Sequence, residues 1–334
     1  MNPFGTGALE SQSDPRTVKH EDVTATGDFL VKGGQVYSPE DIEHQHKVGI
    51  CTAICLTQNR AKVNGKKYSA DFQYLLQKKY YDQNWYEGSS IFNALRVGKN
   101  IGFLPVELFP IGETDRFSSY QEYIAKLQAI PDAEVERLKT LCVDKIQGYA
   151  SVDVSDSQSI ARAINESEGG ILCRYGCGDT WWLPSWLPKD INPLRKPIRD
   201  TSGHAILMTA FEYTYNFMQK LANTWGKDWN LQGNADIDYS NYPMYEAWTI
   251  LPTAPVVPPY KFTRDLFYGS RGDDVKMLQK WLNKNGYTVT LNGQETSFFG
   301  RDTRSAVANL QKANGLFPAW GYFGPKTRAY VNSH

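Results

Sequence analysis

Gln45-His46-Lys47-Val48-Gly49-Ile50-Cys51-Thr52-Ala53 is the stretch from which the rest of the chain is best read. A glutamine stands six residues before a cysteine, with a glycine between them, and the cysteine opens an apolar, helix-prone run through Ala53, Ile54 and Leu56. A cysteine at a helix N-terminus meets open backbone N–H groups and the positive end of the helix dipole. Both favour thiolate over thiol, which is how a nucleophilic cysteine is made near neutral pH. A turn at Gly49 brings the Gln45 amide back beside the sulfur, where it can donate to a developing oxyanion.

Such a thiolate needs a base. Far downstream come Gly203-His204-Ala205-Ile206-Leu207 and then Asn223-Thr224-Trp225-Gly226-Lys227-Asp228-Trp229. Taken together, the three segments resemble the active-site blocks of papain-like cysteine peptidases. Gly49-Ile50-Cys51-Thr52-Ala53 replaces the usual Cys-Gly-Ser-Cys-Trp, and Thr224 replaces a Ser, so the resemblance is closer to bacterial and viral branches than to lysosomal ones. His204 and Asn223 lie 153 and 172 residues after Cys51, beyond the roughly 130–150 of papain and the cathepsins, which implies inserted loops.

The resemblance implies an α+β fold of two lobes, helical on the left and a β-barrel on the right. It implies Cys51 as nucleophile, His204 as base and then acid, and Asn223 fixing the imidazole tautomer. Gln45 and the Cys51 N–H would hold the oxyanion. It also implies a substrate-binding set. Gly88 and Ser89, in Tyr86-Glu87-Gly88-Ser89-Ser90, are similar to the glycine loop lining the non-primed subsites. Trp225 would stand beside the cleft and shield the His–Asn bond, and Trp181 and Trp182, in the aromatic run 179–186, would wall a subsite. Two simpler readings stay open: Ser89 or Ser90 as a helix N-cap, and the tryptophans as core packing.

A chain of 334 residues accommodates two domains. Apolar content of 41% and charged content of 22% are ordinary for a globular protein. Zero net charge gives no electrostatic case for nucleic acid. Met1 to Gly7 carry neither a basic nor an apolar region of a signal peptide, and no stretch approaches the ~20 apolar residues of a membrane span. Synthesis in a reducing compartment is therefore expected, with Cys51, Cys55, Cys142, Cys173 and Cys177 unpaired. Cys173 and Cys177 lack a second His/Cys pair and read as core, so neither metal nor cofactor is expected. His44 and His46, flanking Gln45, read as polar loop residues.

Residues 1–40 read as an irregular arm with a short strand at Phe29-Leu30-Val31 and a turn at Lys32-Gly33-Gly34. They leave no room for the long helical inhibitory segment common in the family, so the arm either plays no such part or covers the cleft in another way. Helices are expected over 51–62, 69–82 and 91–97, with amphipathic helix through 115–148, and strands from Gly169 onward, including Ile206–Phe211 and Glu246–Leu251. Four prolines between Pro252 and Pro259 mark an extended linker. The expected domains are 1–251, a linker over 252–262, and 263–334.

The tail contains an internal repeat. Phe299-Gly300-Arg301-Asp302-Thr303-Arg304 recurs as Phe323-Gly324-Pro325-Lys326-Thr327-Arg328, and Val275-x-x-Leu278-Gln279-Lys280 as Val307-x-x-Leu310-Gln311-Lys312. With Gly269-x-x-Gly272-Asp273-x-Val275, this segment resembles the three-helix peptidoglycan-binding domain found at the ends of many wall hydrolases. Ten Lys/Arg against five Asp/Glu make it basic, which suits an anionic wall. Trp320 and Tyr322 are its candidate sugar-stacking rings.

The combined expectation is a thiol endopeptidase acting on protein or peptide and directed to peptidoglycan by residues 263–334, with no nucleic-acid partner and no membrane span. A hydrolase of wall stem or cross-bridge peptides, such as a phage lysin, is the alternative. An inactive binding protein and a transglutaminase-type acyl transferase fit less well, since Gln45, Cys51, His204 and Asn223 are all present and the latter normally carries Asp in the third place. Action at the wall after release from the cytoplasm, or within a phage particle, reconciles a wall-binding tail with a chain lacking a signal.

Overall fold

A computed structural model describes residues 6–11, 17–20, 37–111, 117–178, 180–182, 194, 200–213, 217–238, 244–252, 260–289 and 296–333. The chain divides into two compact units, Met1–Val256 and Val257–His334.

The helical lobe of the first unit is built on α1, Cys51–Asn64. Its residues 51–60 are all buried, polar ones included, and Thr52, Thr57, Gln58 and Asn59 are each hydrogen-bonded there, as buried polar groups require. It ends at Gly65, whose φ of 65° is the left-handed C-cap glycine tolerates. Helices α2 (Ala70–Gln77) and α3 (Ile91–Asn100) pack beside it and begin on side-chain caps: Ser69 accepts from Phe72 N–H at 3.1 Å, and Ser90 from Asn93 N–H at 3.1 Å. Helix α1 begins on Ile50 with no side-chain cap, so its first N–H groups stay available around Cys51.

The helix expected over 69–82 changes character after Gln77. Lys78–Asp82 forms a π turn, a local widening often found at functional sites. The expected run over 115–148 is two helices, α4 (Tyr120–Gln128) and α5 (Asp132–Lys139). They are separated at Pro131, which has no N–H to continue the ladder. The strand expected at Phe29–Val31 lies outside the described residues.

A short strand β1 (Ala8–Leu9) pairs in parallel with β2 (Ser89–Ser90). The second lobe is an antiparallel sheet of six strands: β3 (Gly148–Ser151), β4 (Ile171–Gly178), β5 (Asp200–Tyr213), β6 (Phe217–Ala222), β7 (Asn234–Asp238) and β8 (Glu246–Leu251), in the order β3-β8-β4-β5-β6-β7. Helix α6 (Ser157–Glu166), capped by Asp156, joins its core. Strand β4 is buried almost throughout, with Cys173 and Cys177 inside, and none of the five cysteines is in a disulfide. Between the lobes a third cluster brings Cys51, Cys55 and Leu56 of α1 against Leu172, Ala205 and Leu207 of the sheet. The nucleophile candidate and the His204 strand therefore meet across one apolar seam.

The second unit has helices α7 (Asp273–Lys284), α8 (Arg301–Ala313) and α9 (Pro325–Ser333) around Val275, Leu278, Leu282, Phe299, Val307, Leu310 and Phe323. Its sequence repeat has a physical basis. The buried Gln279 amide donates to Thr303 Oγ1 at 2.9 Å and Phe298 O at 3.0 Å; the buried Gln311 donates to Thr327 Oγ1 at 2.9 Å and Tyr322 O at 2.7 Å. Each copy thus satisfies a buried polar side chain the same way. Among the described residues no helix is long and apolar enough to cross a membrane.

Candidate active site

Cys51 is the first residue of α1 and fully buried. His204 lies on β5, opposite Tyr175 of β4, and is also fully buried. Its Nε2 meets Asn223 Oδ1 at 2.7 Å. Asn223 follows the end of β6, its N–H bonded to Gly233 O at 2.8 Å, and its Oδ1 also accepts from Thr224 N–H at 2.7 Å. Trp225, 1% exposed, stacks on the His204 ring at 4.4 Å and 24°. Gln45 is held from two sides: its N–H donates to Thr224 O at 2.9 Å, its Oε1 accepts from Thr224 Oγ1 at 2.5 Å, and its Nε2 donates to Val48 O at 3.0 Å. The fold thus gathers Cys51, His204, Asn223 and Gln45 from segments far apart in sequence.

The protonation state differs from the sequence expectation. Burial pushes the Cys51 thiol up to about 11, against N–H groups of Ala205 (3.4 Å from Sγ), Gly7, Thr52 and Cys51 itself that pull it down. Burial likewise draws His204 down to about 4, against the bond to Asn223. His204 Nδ1 has no hydrogen-bond partner among the described residues. Thiol and imidazole are therefore both neutral at pH 7. The helix N-terminus is where the sequence placed it, but loss of water outweighs it.

The water is excluded by the chain's own arm. Gly7 N–H donates to Gly203 O at 3.2 Å, and Gly7 O accepts from Ser89 N–H at 2.8 Å, so residue 7 bridges the two lobes beside Cys51. Ala8 and Leu9 continue as β1 along Ser89 and Ser90. Ser11 is bound by Glu246, its N–H lying 3.2 Å from Oε2, and Val18 O accepts from Ser151 N–H at 2.8 Å. Further along, the buried His20 meets Glu166 at 3.0 Å. No motif in Thr6-Gly7-Ala8-Leu9-Glu10-Ser11 signals this; so short a mixed stretch carries little information until a partner is seen.

Gly88 and Ser89 form one wall of the covered cleft. Gly88 has φ of 92°, its N–H donates to Tyr74 Oη at 3.0 Å, and its carbonyl takes the Lys78 ammonium. Lys78 pairs inside the lobe with Asp82 at 3.0 Å, which also accepts from Ser89 Oγ at 3.1 Å. The π turn thereby fixes this wall with a buried ion pair, which sequence spacing did not reveal. Ser90, rather than Ser89, caps α3.

The tryptophans pack into the core of the β lobe. Trp181 is fully buried, with its ring 6.2 Å from that of His204, and Trp229 donates to Trp181 O at 2.8 Å. Trp182 is half-buried against the same cluster. Trp225 covers His204 and is itself covered. Rings in this unit wall off the imidazole, and residues 183–186 of the aromatic run lie outside the described residues. His44 and His46 stack on each other at 4.3 Å, and His44 forms a β-bridge with Trp225.

The fold of the first unit has known counterparts. The structure is similar to xylellain, a cysteine protease from Xylella fastidiosa, with TM-score 0.58 and 19% identity over 75% of this chain and 97% of that one. It is also similar to digestive procathepsin L2 proteinase of Tenebrio molitor larval midgut, with TM-score 0.50 and 14% identity over 75% of this chain and 79% of that one. The first unit therefore has the papain-like cysteine protease fold. Residues 271–331 match the family model described as "Putative peptidoglycan binding domain". No curated protein matches the chain in sequence.

Proposed function

We propose that this chain is a cysteine endopeptidase held at the bacterial cell wall by residues 263–334. The observation that carries the reading is the 2.7 Å His204–Asn223 bond, sealed by Trp225, on the strand that faces Cys51 at the open N-terminus of α1. Once residues 6–11 leave and water returns, the thiol gives its proton to His204 and the thiolate attacks a peptide carbonyl carbon. The oxyanion takes hydrogen bonds from the Gln45 amide and the Cys51 N–H. His204 then protonates the leaving amine as the C–N bond breaks, and a water deprotonated by His204 cleaves the thioester, restoring the thiol. Asn223 keeps Nε2–H oriented, so that Nδ1 faces the sulfur.

The tail's part rests on its family match and on its surface. Tyr268, Arg301, Arg304 and Trp320 line one groove, with rings open to solvent and cations beside them, a pairing suited to sugar faces carrying carboxylates.

The test is release of new amino groups from an unfolded protein and from purified sacculi, in reducing buffer containing EDTA, with Cys51→Ala alongside. Cleavage of protein alone, lost in the variant, supports a wall-tethered peptidase. Cleavage of sacculi shifts the substrate to wall peptides. Cleavage of neither, by the full chain and by a form lacking residues 1–11 alike, with binding to sacculi intact, defeats the enzymatic reading.

A further inference from the structure

We infer that the cleft is a glycine slot: the substrates of this site are peptides with glycine at one position beside the scissile bond. This rests on the peptidase reading above. The observation is how tightly Gly7 is enclosed. A Cβ on Gly7 would lie 2.5 Å from Gly49 O and 2.9 Å from Gly88 Cα, both main-chain atoms that no rotamer change can move. The walls are glycines in turn. A Cβ on Gly88 would strike Gly7 O, one on Gly49 would strike Thr6 O, and one on Gly203 would strike Ala8 O. The cleft beside the thiol is therefore the width of two backbones in contact.

That width belongs to the walls rather than to the arm. Gly49 N–H is bonded to the Glu87 carboxylate. Gly88 is clamped by Tyr74 and Lys78, and Lys78 by Asp82. Gly203 sits in register with Gly176 in the β4–β5 ladder, next to the His204–Tyr175 pair. Each wall keeps its place through bonds to its own lobe, so a substrate inherits the same gap. The anchors Ser89 N–H and Gly203 O are main-chain groups, so a peptide that uses both must pass its own Cα between Gly49 and Gly88. A side chain there meets backbone, and overpacking against fixed atoms is not relieved cheaply.

The experiment uses the full chain carrying Gly7→Leu, with Gly7→Ala as the milder variant. First, the rate at which iodoacetamide alkylates Cys51 at pH 7 is followed by mass spectrometry of the modified peptide. A slot that admits only glycine ejects the arm of the Gly7→Leu variant, exposing the thiol, and alkylation should rise at least ~10-fold over wild type, with Gly7→Ala between. An unchanged rate would show that the slot accepts bulk and would overturn the inference. Second, Gly7→Leu is given a mixed peptide library, and the residues flanking each cut are read. Glycine dominating one position within two residues of the cut supports the inference, as does a drop of ~10-fold or more in kcat/KM when that residue becomes Ala. Cysteine-dependent cleavage with large side chains at every flanking position overturns the slot and leaves the peptidase intact. Fast alkylation with no cleavage of any peptide defeats the peptidase reading instead.

Discussion

In the first unit Trp181, Trp225 and Trp229 are buried around His204, whereas in the second Trp320 is 72% exposed and Tyr268 53%. The first set protects a hydrogen bond. A His–Asn contact in water competes with solvent, and the same contact under stacked indoles does not. The second set has no such bond to guard, and large exposed rings beside cations mark a surface that expects a ligand. The same residue type thus does opposite work according to what it covers. The buried rings of the first unit keep water from a side-chain hydrogen bond, and the exposed rings of the second meet it.

That contrast can be broken in order of expected effect. Cys51→Ala should abolish peptide hydrolysis while leaving retention on sacculi at the wild-type level; a parallel loss of both would mean the two units do not work separately. Gln45→Ala should lower kcat by roughly 10²–10³ with KM little changed, measured on a chain whose arm has been displaced by Gly7→Leu. A loss under tenfold removes Gln45 from the oxyanion site.

Acid should act on the first unit through its buried imidazoles. His204 and His20 are both held below the ordinary histidine range by burial. Each binds a proton more readily when unfolded, so stability present above about pH 6.5 should fall as pH drops, toward about 4 for His204. For His204 the loss is on the order of 3 kcal/mol. Denaturant midpoints of the first unit from pH 7.5 to 4.5 measure it, and a flat profile rules out a neutral buried pair. Smallest is Trp320→Ala, which should weaken binding to sacculi about 2- to 10-fold without changing hydrolysis of a soluble peptide. Equal binding by this variant would move the wall contact off that groove.

Much of this was legible from sequence because the signals are local. Cys51 at the start of an apolar helix, the strand at Glu246–Leu251, and the apolar positions 275, 278, 282, 306, 307 and 310 follow from periodicity and capping chemistry. The repeated Leu-Gln and Phe-Gly-x-x-Thr marks also proved local in origin, each a buried amide and its hydroxyl partner. What could not be read were properties set by neighbours distant along the chain. The burial of Trp181 depends on Trp225 and Trp229, 44 and 48 residues away. The π turn at Lys78–Asp82 makes sense only once Gly88 is beside it.

The sequence by itself placed the helices and strands through their periodicity, and its Gln45, Cys51, His204 and Asn223 blocks implied, by their resemblance to those of papain-like peptidases, a seam between helix and sheet. Only the tertiary structure decided the state of that seam. Residues 6–11 have no pattern of their own, and their place in the cleft comes from unsatisfied main-chain groups of Ser89 and Gly203 that the fold presents together. Seated there, they remove the water on which a thiolate depends, so the charge of Cys51 is fixed by what covers it rather than by the helix it begins.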